Sequence, residues 1–361
     1  MSPAGEHGIS QSSLLIDIVS LIIVGGMMML LPALLAPFET LFWWSGWSAK
    51  QTSEQLLHGS PEEQPYADQT HHSLVYLSGI ADSSGDTLNP KERALLDQVQ
   101  QRLPGAIVVG DVFPYSVTNR ALTGQRVFAW LWRRLSAKRL EGGSVLVGLM
   151  NLRTLFHVTV SSDYRYGPMD HAGTAQVLLD GLMRRGYQPG SGKPVPLIGS
   201  SGGAQIAIGA VTYLKPAIQA PVWVISLGGV MSSDPGLDHV EHMYHLYGSA
   251  DSLRDVGPFM FPSRWPIAIN SHGNRAAIEG RILIICLGPM EHAEAGGSLD
   301  AGAPLPDGTN YLDKTAETMA NIIRRGPGRF QRSRQTGADE SWEQNAYEAD
   351  SCQFAALPLV A

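Results

Sequence analysis

The stretch PVPLIGSSGGAQIAIGAVTYL, residues 194–214, joins a strand pattern to a helical pattern through a turn of small residues. Residues 194–200 predict a strand, because a short apolar run that ends at a turn signal is typical of a strand buried on both faces. The residues from 202 onward predict a helix. The turn between them, residues 199–203, reads GSSGG and matches the pattern G-x-S-x-G.

The central serine of this pattern, Ser201, is a candidate nucleophile. A strand-to-helix turn that exposes a serine hydroxyl needs small neighbours, and Gly199 and Gly203 meet that need. The N-terminus of the following helix favours negative charge beside the serine. We therefore predict that Ser201 presents its hydroxyl at the carboxyl end of the strand.

Apolar runs and helical patterns alternate on both sides of this turn. Further strands are predicted at 74–80, 106–113, 221–228, 242–248 and 281–288. Further helices are predicted at about 90–103, 168–186 and 311–324. Because the apolar runs lack alternation, the strands are expected to be covered on both faces, as in a parallel sheet. The sequence predicts an α/β fold with a doubly wound, mostly parallel sheet.

A serine hydroxyl needs a base to take its proton, and the base needs a carboxylate to orient it. Asp251 follows the predicted strand at 242–248, and His292 follows the one at 281–288. The carboxyl ends of parallel strands meet at one edge of the sheet, so both residues are expected near Ser201.

Other residues compete for these two roles. Asp234 and Asp238 follow the strand before Asp251 and are alternatives for the acid, although Asp251 lies closer to a strand end. His272 is an alternative for the base, but it precedes its strand and is expected at the wrong end of the sheet. We favour Asp251 and His292.

With this turn around Ser201, followed in order by Asp251 and His292, residues 74–324 resemble an α/β-hydrolase-fold serine hydrolase of the esterase and lipase kind. The resemblance implies a catalytic triad of these three residues. It also implies cleavage of an ester, thioester or related acyl bond through an acyl-enzyme, without cofactor or metal ion. An acyltransferase with the same triad, or a scaffold that keeps the fold without catalysis, are the alternatives.

The resemblance further implies an oxyanion hole of two backbone N–H groups. Gly202, directly after the nucleophile, is expected to supply one. The loop after the first strand is expected to supply the other. There, Ser78, Gly79 and Ile80 stand where the family more often has His-Gly-x. We assign the second donor to Ile80, with Ala81 as the alternative.

The chain carries few charges for its length of 361 residues. It has 26 basic and 33 acidic residues, or 16%, against about 25% in average soluble domains. The net charge of −7 argues against general binding to nucleic acid. Part of the deficit lies in residues 18–38, which carry no charge and are long enough to cross a hydrocarbon core of roughly 30 Å.

This uncharged run predicts a transmembrane helix within an N-terminal segment of residues 1–47, followed by a polar linker at 48–73. Three tryptophans after the run suit the lipid–water boundary; they are Trp43, Trp44 and Trp47. A cleaved signal peptide is disfavoured because residues 1–13 contain no Lys or Arg. A buried helix is the other alternative. Lys50, after an acidic N-terminal tail, favours a single-pass protein with its main domain on the cytoplasmic side.

Two further segments interrupt the strand and helix pattern. An insertion at about 114–165 contains VFAWLWRRLSAKRL, whose aromatic and basic side chains suit an interfacial helix on a membrane. A cap over the site and an ordinary packed helix are alternatives for it. Residues 325–361 lose periodicity and predict a flexible tail. The membrane helix and the insertion together suggest a lipid acyl substrate.

Three histidines recur every third residue, at His239, His242 and His245. On a helix this spacing could suggest metal ligands. The segment reads as a strand, however, where His242 and His245 point to opposite faces. No H-E-x-x-H motif is present in the sequence. We therefore predict no metal site.

Overall fold

The strands of the described chain form one parallel sheet in this computed structural model. They are β1 (Ser73–Leu77), β2 (Ile107–Val109), β3 (Val195–Ser200), β4 (Val222–Leu227), β5 (Met243–Tyr247) and β6 (Ile282–Cys286). Their order across the sheet is β2-β1-β3-β4-β5-β6, and every neighbouring pair is parallel. The structure describes residues 72–79, 88–112, 114–115, 147–163, 165–293 and 295–326.

Helices flank the sheet on both faces. In the described residues they are α1 (Pro90–Arg102), α2 (Val147–Ser161), α3 (Gly167–Arg184), α4 (Gly202–Ile218), α5 (Val256–Met260), α6 (His272–Ile278) and α7 (Tyr311–Arg325). Side chains of α3 and α4 share one hydrophobic core with Leu197 of β3. Those of α1 and α7 share the opposite core with Ile198.

Neighbouring residues of one strand thus enter opposite cores, which explains the unbroken apolar runs in the sequence. The predicted α/β class with a parallel sheet flanked by helices is confirmed.

Every predicted strand is shorter in the structure, and the first two show why. The strand predicted at 74–80 is Ser73–Leu77, so Ser73, assigned to the linker, begins it. The strand predicted at 106–113 is Ile107–Val109, which pairs with β1 over three residues only. Val112 is nevertheless completely buried. An unbroken apolar run indicates burial, not strand pairing. Here the chain is still buried at Val112, after its pairing with β1 has ended at Val109.

The predicted insertion contains a helix that was not predicted from the sequence. This helix, α2, packs on α3 and α4. Its His157 Nε2 lies 3.0 Å from Asp170 Oδ1 of α3, and both side chains are buried. The predicted helix VFAWLWRRLSAKRL, the N-terminal segment with its predicted membrane helix, and the tail from residue 327 onward lie outside the described residues. Within the described part of the chain, no helix has the length and apolar character needed to span a bilayer.

The sheet has a switch point between β1 and β3. β2 lies on one side of β1, whereas β3 and the later strands extend on the other. The helix after β1 enters one core and the helix after β3 enters the opposite core. In open α/β sheets, ligands bind at the carboxyl ends of the strands beside such a switch point. Ser201 directly follows β3.

Candidate active site

Ser201 occupies a sharp turn between β3 and α4. Its backbone has φ 48° and ψ −120°, a conformation that costs a residue with a side chain about 1–3 kcal/mol. The Ser201 N–H donates to the Leu227 carbonyl of β4 at 2.9 Å, which holds the turn against the sheet. Strain of this kind persists only where the surrounding structure fixes it, and it clusters at functional sites.

The two glycines that flank Ser201 have no space for a side chain. A Cβ atom on Gly199 would lie 2.5 Å from the Ala204 Cα, and one on Gly203 would lie 2.5 Å from the Leu77 carbonyl oxygen. The start of α4 therefore packs against β1 and β3 through backbone atoms. This close approach is what the sequence analysis expected of both glycines.

The structure brings Ser201, His292 and Asp251 together. His292 Nε2 lies 3.1 Å from Ser201 Oγ. On the other side of the ring, Nδ1 lies 2.9 Å and 3.1 Å from the two carboxylate oxygens of Asp251. A carboxylate only accepts hydrogen bonds, so Nδ1 carries a proton and donates it, and Nε2 is free to accept the proton of the Ser201 hydroxyl.

Burial and backbone contacts fix the acid of this trio. The Asp251 side chain is 3% exposed and that of His292 is 18% exposed. The Leu253 N–H donates to Asp251 Oδ1 at 2.8 Å. Gly228, just after β4, has φ +56°, and a Cβ there would lie 3.2 Å from His292 Cε1 and 3.3 Å from Asp251 Oδ2. Nothing in the sequence around Gly228 indicates this role.

The competing residues pair with groups outside the triad. His272 Nδ1 lies 2.6 Å from Asp238 Oδ2, and Arg275 donates to the same oxygen at 2.8 Å. Burial would raise the pKa of Asp238, but the hydrogen bonds from His272 and Arg275 outweigh it and lower the pKa. Asp234 accepts from the side chain of the buried Gln205 at 2.9 Å. His272, Asp238 and Asp234 are thus each paired with a group other than Ser201.

The expected oxyanion donors are only partly described. The N–H of Gly202 is the first of α4, and the first N–H groups of a helix have no acceptor within the helix. Ile80, the second expected donor, lies outside the described residues, as does the alternative Ala81. The preceding Gly79 does approach the site, since a Cβ on it would lie 3.6 Å from Ser201 Cβ.

A second serine–histidine contact, not predicted from the sequence, lies beside the site. Ser226 of β4 and His245 of β5 are register partners, and Ser226 Oγ lies 3.0 Å from His245 Nδ1. Burial lowers the pKa of His245 to about 4; the Arg264 cation lowers it further and Asp251 opposes the effect. His245 is therefore neutral near pH 7. The sequence signal for this contact is one polar residue in each of two otherwise apolar strands, Ser226 in β4 and His245 in β5.

This shifted histidine predicts a loss of stability in acid. An unfolded histidine takes up a proton near its ordinary pKa of 6.5, whereas folded His245 does so only near 4. Between these values the unfolded chain binds more protons, so the free energy of unfolding falls as the pH drops from 6.5 to 4. The His245 contribution is up to about 3 kcal/mol. Burial lowers the pKa of His242 as well, which acts in the same direction.

Denaturant unfolding at pH 7 and at pH 4.5 checks this prediction. His245→Gln should lose less stability between the two values than the wild type, and the difference isolates His245 from carboxylates that titrate in the same range. The matched control is His239→Gln, because the His239 side chain is exposed. Equal losses in the wild type and in His245→Gln would show that the prediction is wrong.

The described residues contain no group of three His, Cys, Asp or Glu side chains that could hold a metal ion. No family model, no curated protein and no solved structure matches this chain. The geometry of the site itself is therefore what indicates the function.

Proposed function

We propose that the protein is a membrane-anchored serine hydrolase, similar to the α/β-hydrolases, that cleaves an ester, thioester or related acyl bond. The observation that carries the proposal is the continuous line of contacts from Ser201 through His292 to Asp251, with distances of 3.1 and 2.9 Å. The strained backbone of Ser201, at the sheet's switch point, supports the same residue as nucleophile.

In the first step, Ser201 Oγ attacks the acyl carbon and His292 Nε2 takes the hydroxyl proton. The carbonyl π electrons move to oxygen, where the Gly202 N–H and a second N–H from the Ile80 loop donate hydrogen bonds. One such donor typically contributes 10²–10³ in rate. Asp251 stabilises the imidazolium that forms and keeps the ring oriented.

The tetrahedral intermediate then collapses and the bond to the alcohol or thiol breaks. His292 Nε2 gives its proton to this leaving group, and the acyl group remains on Ser201 as an ester. In the second half, His292 takes a proton from water while the water oxygen attacks the acyl-enzyme. Return of that proton to Ser201 Oγ releases the acid and restores the site.

The substrate class follows from the charge-poor N-terminus. Residues 18–38 support a membrane anchor, with the catalytic domain proposed on the cytoplasmic side. A tethered hydrolase encounters acyl groups held in the membrane, which favours a lipid as substrate. Transfer of the acyl group to an alcohol would use the same triad. Product analysis with and without an added alcohol separates hydrolysis from transfer.

Replacing the proposed nucleophile tests the proposal. In Ser201→Ala, turnover of a panel of p-nitrophenyl and thioester substrates should fall by at least about 10³-fold, because no other step can form the acyl-enzyme. The assay uses the full chain in detergent micelles. The matched control is Ser191→Ala, an exposed loop serine that should retain turnover within two-fold. Retention of wild-type turnover in Ser201→Ala would overturn the proposal. Absence of turnover in the wild type, together with a stable binding partner, would favour the scaffold.

A further inference from the structure

Exposed apolar side chains concentrate in residues 253–269. Of the large apolar side chains that are exposed in the described part of the chain, half lie in this segment. They are Leu253, Phe259, Met260, Trp265, Ile267 and Ile269. Phe259 is 84% exposed and Ile267 is 85% exposed, so both present almost their whole side chain to solvent. The others elsewhere are spread over many elements, and singly exposed apolar residues need no explanation.

The segment begins next to the candidate site. Leu253 lies two residues after Asp251 and donates its N–H to that carboxylate at 2.8 Å. Further along, Arg264 Nη1 donates to the Met231 carbonyl at 3.1 Å, in the loop that follows β4. The first residue of that loop, Gly228, packs against His292 and Asp251. The exposed segment is therefore attached to the same loops that hold the triad.

The segment is held in place by hydrogen bonds, although its side chains face solvent. The Asn274 side chain donates to the Trp265 carbonyl at 2.8 Å and to the Ala268 carbonyl at 2.9 Å. The Phe261 N–H donates to the Gly257 carbonyl at 3.0 Å. Exposed apolar side chains that are concentrated in one ordered segment are typical of an interaction surface.

The chemistry of the segment suits lipid better than a polar partner. Its charged residues are Arg254, Asp255 and Arg264. The first two pair with each other at 3.3 Å, and Arg264 is turned toward Met231. Apart from Ser263, the exposed remainder is apolar, and it includes Trp265. Tryptophan is enriched where protein meets the lipid headgroups.

The proposed membrane anchor keeps the described fold close to a bilayer. Residues 18–38 are proposed to cross a membrane, and residues 39–71 connect them to the described fold. A linker of this length spans up to roughly 110 Å when extended. It is therefore long enough to let the carboxyl edge of the sheet turn toward the membrane that holds the anchor.

We infer that residues 253–269 dock on the surface of the bilayer, with Phe259 and Ile267 entering the boundary between headgroups and acyl chains. Ser201 then lies at the edge of the fold that faces lipid, so an acyl substrate can reach it without crossing bulk water. This inference rests on the proposed membrane attachment and on the proposed role of Ser201.

A probe at Ile267 tests the docking without any measurement of activity. The full chain carrying Ile267→Cys, labelled with the fluorophore NBD, is reconstituted in phosphatidylcholine vesicles. We expect blue-shifted emission and loss of most of its intensity when the vesicles contain brominated lipid. The matched control is Met183→Cys on α3, a side chain that is 51% exposed. Its probe should stay in water and be quenched by iodide, and protein without an added cysteine gives the background.

Three results would overturn the inference. The Ile267 probe could be quenched by iodide as fully as the Met183 probe while the chain still floats with the vesicles, which leaves the anchor intact. It could instead be shielded from iodide without quenching by brominated lipid. If a bismaleimide then joins two copies of the unlabelled Ile267→Cys chain through their thiols, the segment binds a second copy of the chain instead of lipid. If the chain does not float with the vesicles, both the proposed membrane anchor and the proposed docking are wrong.

A kinetic comparison separates docking from catalysis. The double variant Phe259→Ser, Ile267→Ser should hydrolyse an ester embedded in vesicles about ten-fold more slowly, because much of its interfacial apolar area is lost. Its turnover of a soluble short-chain ester should remain within two-fold. Equal turnover of both substrates by the variant and the wild type would overturn the inference. If Ser201 performs no chemistry, neither protein turns over either ester, yet the Ile267 probe still reports docking.

Discussion

Asp251→Asn is expected to lower kcat for ester hydrolysis about 10⁴-fold. The carboxylate accepts from His292 Nδ1 at 2.9 Å and so keeps the proton on that nitrogen. An asparagine at this position can turn its amide N–H toward Nδ1, which moves the ring proton to Nε2. His292 can then no longer accept the proton of Ser201. Steady-state kinetics on a soluble ester measures the effect.

The matched control is Asp238→Asn, since Asp238 is a carboxylate that the sequence alone also allows as the acid. It pairs with His272 and Arg275 instead of His292. Its loss should lower stability slightly and leave kcat within two-fold. If Asp238→Asn loses most of its kcat while Asp251→Asn stays active, then Asp238, and not Asp251, is the acid of the triad.

Gly203→Ala is expected to destabilise the fold by at least about 3 kcal/mol. The new Cβ would lie 2.5 Å from the Leu77 carbonyl and 2.6 Å from the Ser78 carbonyl, and backbone atoms cannot turn away as a side chain can. Either α4 must move away from β1 or the turn at Ser201 must change shape. Thermal unfolding should show a loss of roughly 6–12 °C in Tm.

Gly79→Ala provides the comparison for stability. Its Cβ would meet its nearest neighbours at 3.6 Å, an ordinary contact distance, and it lies on the other side of the same turn. Its Tm should stay within roughly 2 °C of the wild type, since the expected change is below 1 kcal/mol. Equal Tm values for the two variants would show that close packing at Gly203 is not what fixes the turn.

The positions of Ser201, Asp251 and His292 could be predicted because they depend on few assumptions. Each follows an apolar strand, and all strands of a parallel sheet end at the same edge. The sequence did not have to specify which strands are neighbours. The helical period after Gly202 and the small residues before it were enough to place the turn.

Other features depend on contacts that no local pattern contains. The Ser226–His245 contact requires the register between β4 and β5, which only the folded sheet defines. Likewise, Gly228 acquires its role from two side chains distant in sequence. Phe259 and Ile267 were unpredictable for a different reason. Apolar residues are expected to be buried, and nothing in the neighbouring sequence marks these two as exposed.

Mapping the residue modified by a fluorophosphonate tests the proposed chemistry most directly. The reagent reacts with a serine that an adjacent base has activated, and the described part of the chain has two serines within hydrogen-bonding distance of a histidine, Ser201 and Ser226. Peptide mass spectrometry of the labelled wild type should place the adduct on Ser201, and Ser201→Ala should remain unlabelled. An adduct on Ser226, or labelling that persists in Ser201→Ala, would contradict the assignment of Ser201 as the nucleophile.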